Sequence, residues 1–255
     1  MVGIINYIFK NNTGLAVIKY LILGFLYQVF KRTTHSVISH KIFNGKQLFL
    51  YPTCNISTMF MYTDIPDKNE LLHIRDLIKN SDKSVMFLDI GANIGSYSVA
   101  VMDICNDVIA FEPHPYTNMR CKMNFLLNGV SEKCVKNFAL SNKSGKIKFS
   151  DFGGSSTVNH IVDEDSQNGI EVEVSTLDLF WEDSSNCQNF NYVLKVDVEG
   201  FEKQVFEGGE KFLKDGAVIG IIFECFDDNE VFDLLNSYGY LDIKRLSANN
   251  FLAKK

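Results

Sequence analysis

Short apolar runs that alternate with amphipathic stretches constrain this chain more than any other feature. VMFLD (85–89), DVIAFEP (107–113), CVKNFAL (134–140), YVLKVDVEG (192–200) and AVIGIIFEC (217–225) have the length and composition of buried strands. Between them DKNELLHIRDLIKN (67–80), a stretch from about Gly95, YTNMRCKMNFLLNG (116–129), FEKQVFEGGEKFLK (201–214) and NEVFDLLNSYG (229–239) carry helical spacing. Strands that alternate with helices predict a mostly parallel sheet covered on both faces. GKIKFS (145–150) and IEVEVSTLDLF (170–180) read as extra strands, and terminal strands follow near 240–245 and 250–253. A chain of 255 residues suits one good core with a modest extension. No internal repeat or low-complexity linker divides it.

The extension is residues 1–66, and the chemistry is expected in 67–255. Residues 1–63 hold Lys10, Lys19, Lys31, Arg32, Lys41 and Lys46 and no acid, so the net charge of −6 leaves −12 on the remainder. An acidic body argues against a phosphate-tracking groove and predicts no nucleic-acid partner. GLAVIKYLILGFLYQVF (14–30) reads as a helix that is apolar almost all round, with Leu15, Ile18, Ile22, Phe25, Leu26 and Val29 on one stripe. Its longest uncharged run, Tyr20 to Phe30, is eleven residues, against about 20 for a membrane span. Residues 14–32 are therefore expected to make peripheral membrane contact. Packing on the domain or on a dimer partner, and a short anchor, are the alternatives. KIFNGKQLFLY (41–51) predicts a hairpin around Asn44-Gly45. Six scattered cysteines without a C-x-x-C pair give no zinc spacing and no disulfide framework, which predicts a reducing, cytoplasmic setting and no metal.

The strand at 85–89 ends in Asp89 and runs into Gly91, Asn93 and Gly95. In an open parallel sheet the ligand lies beyond the carboxyl ends of the strands. Gly91 admits close approach to a ligand, and Gly95 lets a helix start tight against the sheet and offer its free N–H groups. The spacing lacks the G-x-G-x-x-G of dinucleotide sites. An acid at the strand tip suits the α-ammonium of S-adenosylmethionine instead, and Asn93 supplies both a donor and an acceptor. Glu112, 21 residues after Gly91, is placed to accept hydrogen bonds from ribose hydroxyls. Either acid alone would be an ordinary solvated residue; the pair at this interval argues for a site. In LKVDVEGFE (194–202), Lys195, Asp197 and Glu199 alternate along a buried run. They predict a charged floor beside the reacting group, or else a salt bridge from Lys195 to a carboxylate.

In order, FLDIGANIGSYS, AFEPHP, FALSNKSG, VSTLDLF and LKVDVEGFE resemble the FkbM family of S-adenosylmethionine-dependent methyltransferases over about residues 67–255. The resemblance implies a class I methyltransferase fold: a Rossmann-like three-layer sandwich whose seven-stranded sheet has one antiparallel strand near an edge. It implies O-methylation of a hydroxyl, often on sugars or natural products. It also implies Asp89, Gly91, Asn93, Gly95 and Glu112 around the cofactor, Ala139 and Leu140 near the adenine, and Lys195, Asp197 and Glu199 facing the acceptor.

Methyl transfer to an alcohol needs in-line alignment and a proton acceptor. Asp197 or Glu199 is the expected base, with Lys195 holding one of them ionised. His160, in GGSSTVNHI, is a rival, whereas His114 between two prolines reads as an exposed loop residue. Phe152, Trp181 and Phe226 are candidates for stacking on a sugar, with core packing as the default. Asp163-Glu164-Asp165 would suit a metal-dependent glycosyltransferase, though its polar surroundings read as a solvated turn. A non-enzymatic scaffold that binds cofactor without turnover is the other alternative. The basic apolar N-terminus directs attention to glycan or glycolipid acceptors.

Overall fold

The structure, a computed structural model, describes residues 2–150, 169–183, 190–226 and 229–255. Two helices, α1 (Val2–Asn11) and α2 (Leu15–Thr34), lead into a hairpin of β1 (Ile38–Lys41) and β2 (Gln47–Leu50). Asn44 and Gly45 form its turn, as expected, with Gly45 at φ 84°. Helices α3 (Asn55–Met59) and α4 (Lys68–Lys79) follow.

The alternating part then runs β3 (Val85–Ile90), α5 (Ser96–Val101), β4 (Asp107–Phe111), α6 (Pro115–Leu127), β5 (Val135–Lys136) and β6 (Ala139–Leu140). It continues through β7 (Gly145–Ser150), β8 (Gly169–Ser175), α7 (Leu177–Asp183), β9 (Asn191–Val196), α8 (Glu202–Glu207) and α9 (Glu210–Asp215). The chain closes with β10 (Val218–Glu224), α10 (Asn229–Ser237), β11 (Asp242–Arg245) and β12 (Asn250–Lys254).

Seven strands form the main sheet in the order β11-β12-β10-β9-β3-β4-β5. Strands β10, β9, β3, β4 and β5 are parallel, and β12 runs antiparallel between β10 and β11. Every residue of β3 and β9 is buried, because helices cover both faces of a parallel sheet. Side chains alternate between two cores: Val85 and Phe87 join one, and Met86, Leu88 and Ile90 the other. The first core also takes Ile8, Tyr20, Tyr27, Leu48 and Leu50. Hydrophobic packing therefore runs across the sequence boundary at residues 66 and 67.

Four expectations are corrected. CVKNFAL is two short strands, not one: β5 ends the main sheet, whereas β6 pairs with β8 in a separate three-stranded sheet. Asn137, between them, donates its amide to the carbonyls of Glu112 and Pro113, which turns the chain away. IEVEVSTLDLF is a strand only to Ser175; the Thr176 hydroxyl accepts from the Leu179 amide and starts a helix. The run FEKQVFEGGEKFLK breaks into two helices at Gly208-Gly209. Finally, β9 stops at Val196, so Asp197 and Glu199 stand beyond the strand tip instead of alternating along it. No helix among the described residues is long and apolar enough to cross a membrane.

Candidate active site

The carboxyl ends of β3, β4 and β9 open into a cavity of about 270 Å³. The loop after β3 and the loop after β9 are welded together there. Gly91 has φ 81°, and a Cβ on it would lie 1.8 Å from the Asp197 carbonyl oxygen. The Asp197 amide in turn donates to the Ile90 carbonyl at 3.0 Å. A close approach to the neighbouring loop thus requires glycine here. Gly95, at φ 78°, packs against Cys121 and Phe125 of α6.

Asp89 lies beneath this loop and is 1% exposed. One of its oxygens accepts from the Ser98 amide at 3.0 Å and from the Ser98 hydroxyl at 2.6 Å. It therefore caps the first turn of α5, where free N–H groups were expected. Asp89 and Gly95 support the cavity from behind; Gly91 and Asn93 line it.

Glu112 is held at both oxygens. The Asn93 amide donates to Oε2 at 2.9 Å and the His114 amide to Oε1 at 3.0 Å. Asn93, at φ 52°, contributes its backbone N–H to this carboxylate. Each oxygen has two lone pairs, so one backbone donor apiece leaves further hydrogen-bonding capacity on the group. Burial pushes the Glu112 pKa up to about 8 against those two donors. His114 is buried at 4% exposure at the head of α6, which corrects the expectation of an exposed loop.

Beside Glu112, Ala139 and Leu140 share the cavity wall with Phe111, Phe138 and Phe149. The rings of Phe111 and Phe138 meet edge-on at 5.6 Å. This is an apolar slot beside a buried carboxyl group.

On the other side, Lys195 is 4% exposed and its Nζ lies 2.6 Å from Asp197 Oδ2 and 4.6 Å from the centroid of the Tyr97 ring. Burial works against the ammonium, but Asp197, Asp89 and Asp67 hold its pKa above the ordinary value. Burial likewise opposes the Asp197 carboxylate, and Lys195 outweighs it, so the Asp197 pKa is lowered. Glu224, at the end of β10, hydrogen-bonds Asp197. Burial, Asp197 and Glu199 push its own pKa up to about 8. A protonated Glu224 therefore donates to an ionised Asp197. Glu199 lines the cavity at a φ of 54°. Glu202 orders that loop by accepting from the Val198 amide at 2.9 Å and the Gly200 amide at 3.3 Å.

Several lining residues escaped the sequence reading. Asn55, Ile56 and Met59 of α3 line the cavity, as does Asp67, which hydrogen-bonds Tyr97. No motif marks them: Asn55, Ile56 and Met59 reach the site from the extension, and Asp67 stands at the head of α4. Glu224 carried a signal, an acid closing an apolar strand as Asp89 and Glu112 do. Phe152, His160 and Asp163-Glu164-Asp165 lie outside the described residues. Trp181 packs on Phe212 at 5.5 Å, and Phe226 is exposed; neither lines the cavity. Four carboxylates line it, Asp67, Glu112, Asp197 and Glu199, and no basic residue does among those described.

The Methyltransferase FkbM domain matches residues 89–241, more than half of the chain. The protein belongs to the FkbM methyltransferase family. It is an S-adenosylmethionine-dependent methyltransferase, and the acid-rich cavity with its apolar slot suits that cationic cofactor. Among curated proteins none matches. Among solved structures the METTL16 methyltransferase domain aligns over 92% of this chain and 91% of its own, with a TM-score of 0.50 and 13% identity. The SAM-dependent methyltransferase of Agrobacterium tumefaciens covers 85% of this chain and 69% of its own (TM-score 0.45, 7% identity). The ribosomal protein L11 methylase of Lactobacillus delbrueckii subsp. bulgaricus covers 73% and 75% (TM-score 0.41, 11% identity). The fold is the Rossmann-like class I methyltransferase fold, with the one antiparallel strand beside the edge of the sheet.

Proposed function

We propose that this FkbM-family enzyme methylates an uncharged hydroxyl, that of a sugar in a glycan or glycolipid, and that Asp197 takes the hydroxyl proton. The observation that carries the reading is the ion pair of Asp197 with the buried Lys195 at the cavity wall. An alcohol is a poor nucleophile near neutral pH, so its proton must leave as the new bond forms. Lys195 keeps Asp197 ionised, and the hydrogen bond from Glu224 steadies its orientation. Glu199, on the same loop, orients the acceptor.

S-adenosylmethionine, when bound, supplies the electrophilic methyl group. Glu112 binds its ribose, with Asn93 and Gly91 shaping that wall. Ala139 and Leu140 take the adenine beside Phe111. Asp89 and Gly95 hold the loop in place. Alignment of acceptor and methyl carries much of the rate, about 7–11 kcal/mol in well-oriented systems. Among the described residues the wall has four acidic side chains and no basic one, which disfavours phosphorylated acceptors and nucleic acid and supports a neutral sugar.

The test is transfer of isotopically labelled methyl to a panel of neutral glycosides, sugar phosphates and glycolipids. Labelled methyl ethers on neutral sugars are the expected product. Transfer only to phosphorylated acceptors, or only to nitrogen, would overturn the reading.

A further inference from the structure

We propose that α2 docks this protein on an anionic lipid surface through its aliphatic face. The helix is oriented contrary to its composition. Its buried side is Tyr20, Gly24 and Tyr27, spaced i, i+4, i+7. Polar bonds hold that side down: the Tyr20 hydroxyl donates to Asp64, and the Gln28 amide donates to the Tyr62 hydroxyl. The Asn12 amide, just before α2, donates to the Tyr62 carbonyl at 2.8 Å.

The aliphatic side faces out. Leu15 is 83% exposed, Ile18 and Ile22 55%, Phe25 66%, Leu26 57% and Val29 46%. At 3.6 residues per turn these six fall within an arc of about 100°. Arg32 borders that arc on one side and Lys19 on the other, where Lys19 also pairs with the exposed Asp64 at 3.4 Å. A helix with an aliphatic stripe edged by long basic side chains lies in the plane of a membrane interface. The stripe enters the acyl boundary and the cations reach phosphate.

The charge pattern decides between lipid and a second copy. Residues 1–63 carry six basic residues and no acid. Two copies meeting by this face would oppose like charges across an isologous contact, whereas an anionic bilayer complements them. Crossing the bilayer is a poor alternative, since no described helix is long and apolar enough. The inference stands apart from the identity of the acceptor.

Flotation of the full chain with vesicles tests it, using phosphatidylcholine alone and phosphatidylcholine mixed with phosphatidylglycerol. The wild type is expected to float with the mixed vesicles and to bind the neutral ones weakly. The double variant Ile22→Glu/Phe25→Glu should lose flotation and keep S-adenosylmethionine affinity, because both positions are exposed. Each basic residue near an anionic surface strengthens binding about fivefold, so Arg32→Gln should weaken it about fivefold. Absence of wild-type flotation, or flotation unchanged in Ile22→Glu/Phe25→Glu, would overturn the proposal. So would light scattering that shows a dimer which that variant dissolves, since the face would then belong to a second copy. Vesicle binding without S-adenosylmethionine affinity would count against the cofactor site and leave this surface standing.

Discussion

Replacing Gly91 by alanine tests the weld between the loops after β3 and β9. The residue has φ 81°, and its added Cβ would meet the Asp197 carbonyl oxygen at 1.8 Å. Left-handed backbone costs an alanine about 1–2 kcal/mol. Relief of the contact then requires the loop after β9 to retreat by roughly 1 Å or more, given ordinary carbon–oxygen contact distances. That retreat stretches the 3.0 Å hydrogen bond from the Asp197 amide to Ile90, and a buried hydrogen bond left unmade costs about 1–3 kcal/mol. The sum is about 2–5 kcal/mol. Gly129 is the control, since it has φ 76° and nothing within 4 Å of its absent Cβ. Gly129→Ala should therefore show the backbone cost alone. Urea denaturation of both variants separates the two contributions, with the m-value checked for constancy. Retreat of the loop also draws Asp197 away from Lys195, and a misplacement of about 1 Å costs on the order of 100-fold in rate. Equal destabilisation of the two variants would refute the close approach, and with it the account of why this loop begins with glycine.

Asp197→Asn should lower methyl transfer by at least about 100-fold and leave S-adenosylmethionine affinity within a few-fold, measured by labelled transfer and calorimetry. Lys195→Met should raise the Asp197 pKa and move the acid limb of the kcat/KM profile toward neutral pH, since Lys195 is what holds it low; an unmoved limb would exclude Asp197 as the base. Glu112→Gln should weaken cofactor binding by about 10–100-fold, because an amide NH2 replaces one of its two acceptor oxygens. The raised Glu112 pKa also sets a sign for stability without ligand. A carboxyl raised from 4.5 to about 8 in the folded state binds more protons folded than unfolded. Its contribution is complete below the unfolded value and is lost as pH rises through the folded one. Thermal unfolding should show stability falling between those values, with a shallower slope in Glu112→Gln.

The alternation of strands and helices was legible because a buried parallel strand and an amphipathic helix write different periods, and Asp89 and Glu112 were legible because each closes such a strand. Their roles were less so. The sequence does not record that an Asp89 oxygen is taken up by Ser98, or that Asn93 orients Glu112 by its backbone. The misreading of β9 shows why. Lys195, Asp197 and Glu199 alternate in sequence, which suggests one strand face, but Gly91 admits the Asp197 carbonyl and the strand ends at Val196. That contact joins residues 106 positions apart, and no local pattern encodes it. The α2 stripe was likewise visible, although periodicity alone could not say which face packs. Tyr20 and Tyr27 bury because Asp64 and the Tyr62 segment receive that side of the helix.

The one-sided charge of the cavity connects cofactor, acceptor and turnover. Asp67, Glu112, Asp197 and Glu199 meet no basic lining residue among those described, and the nearby Lys195 is engaged by Asp197. Acid in excess favours a sulfonium over the neutral thioether left after transfer, so the same carboxylates that draw the cofactor in hold its product less tightly. Salt should then weaken S-adenosylmethionine more than its demethylated product, because screening acts on the charge that only the former carries at sulfur. Calorimetric titrations of both at low and high ionic strength measure that difference. Equal salt dependence would mean that Lys195 and the solvent already neutralise the acids, and the preference for an uncharged acceptor would lose its electrostatic ground.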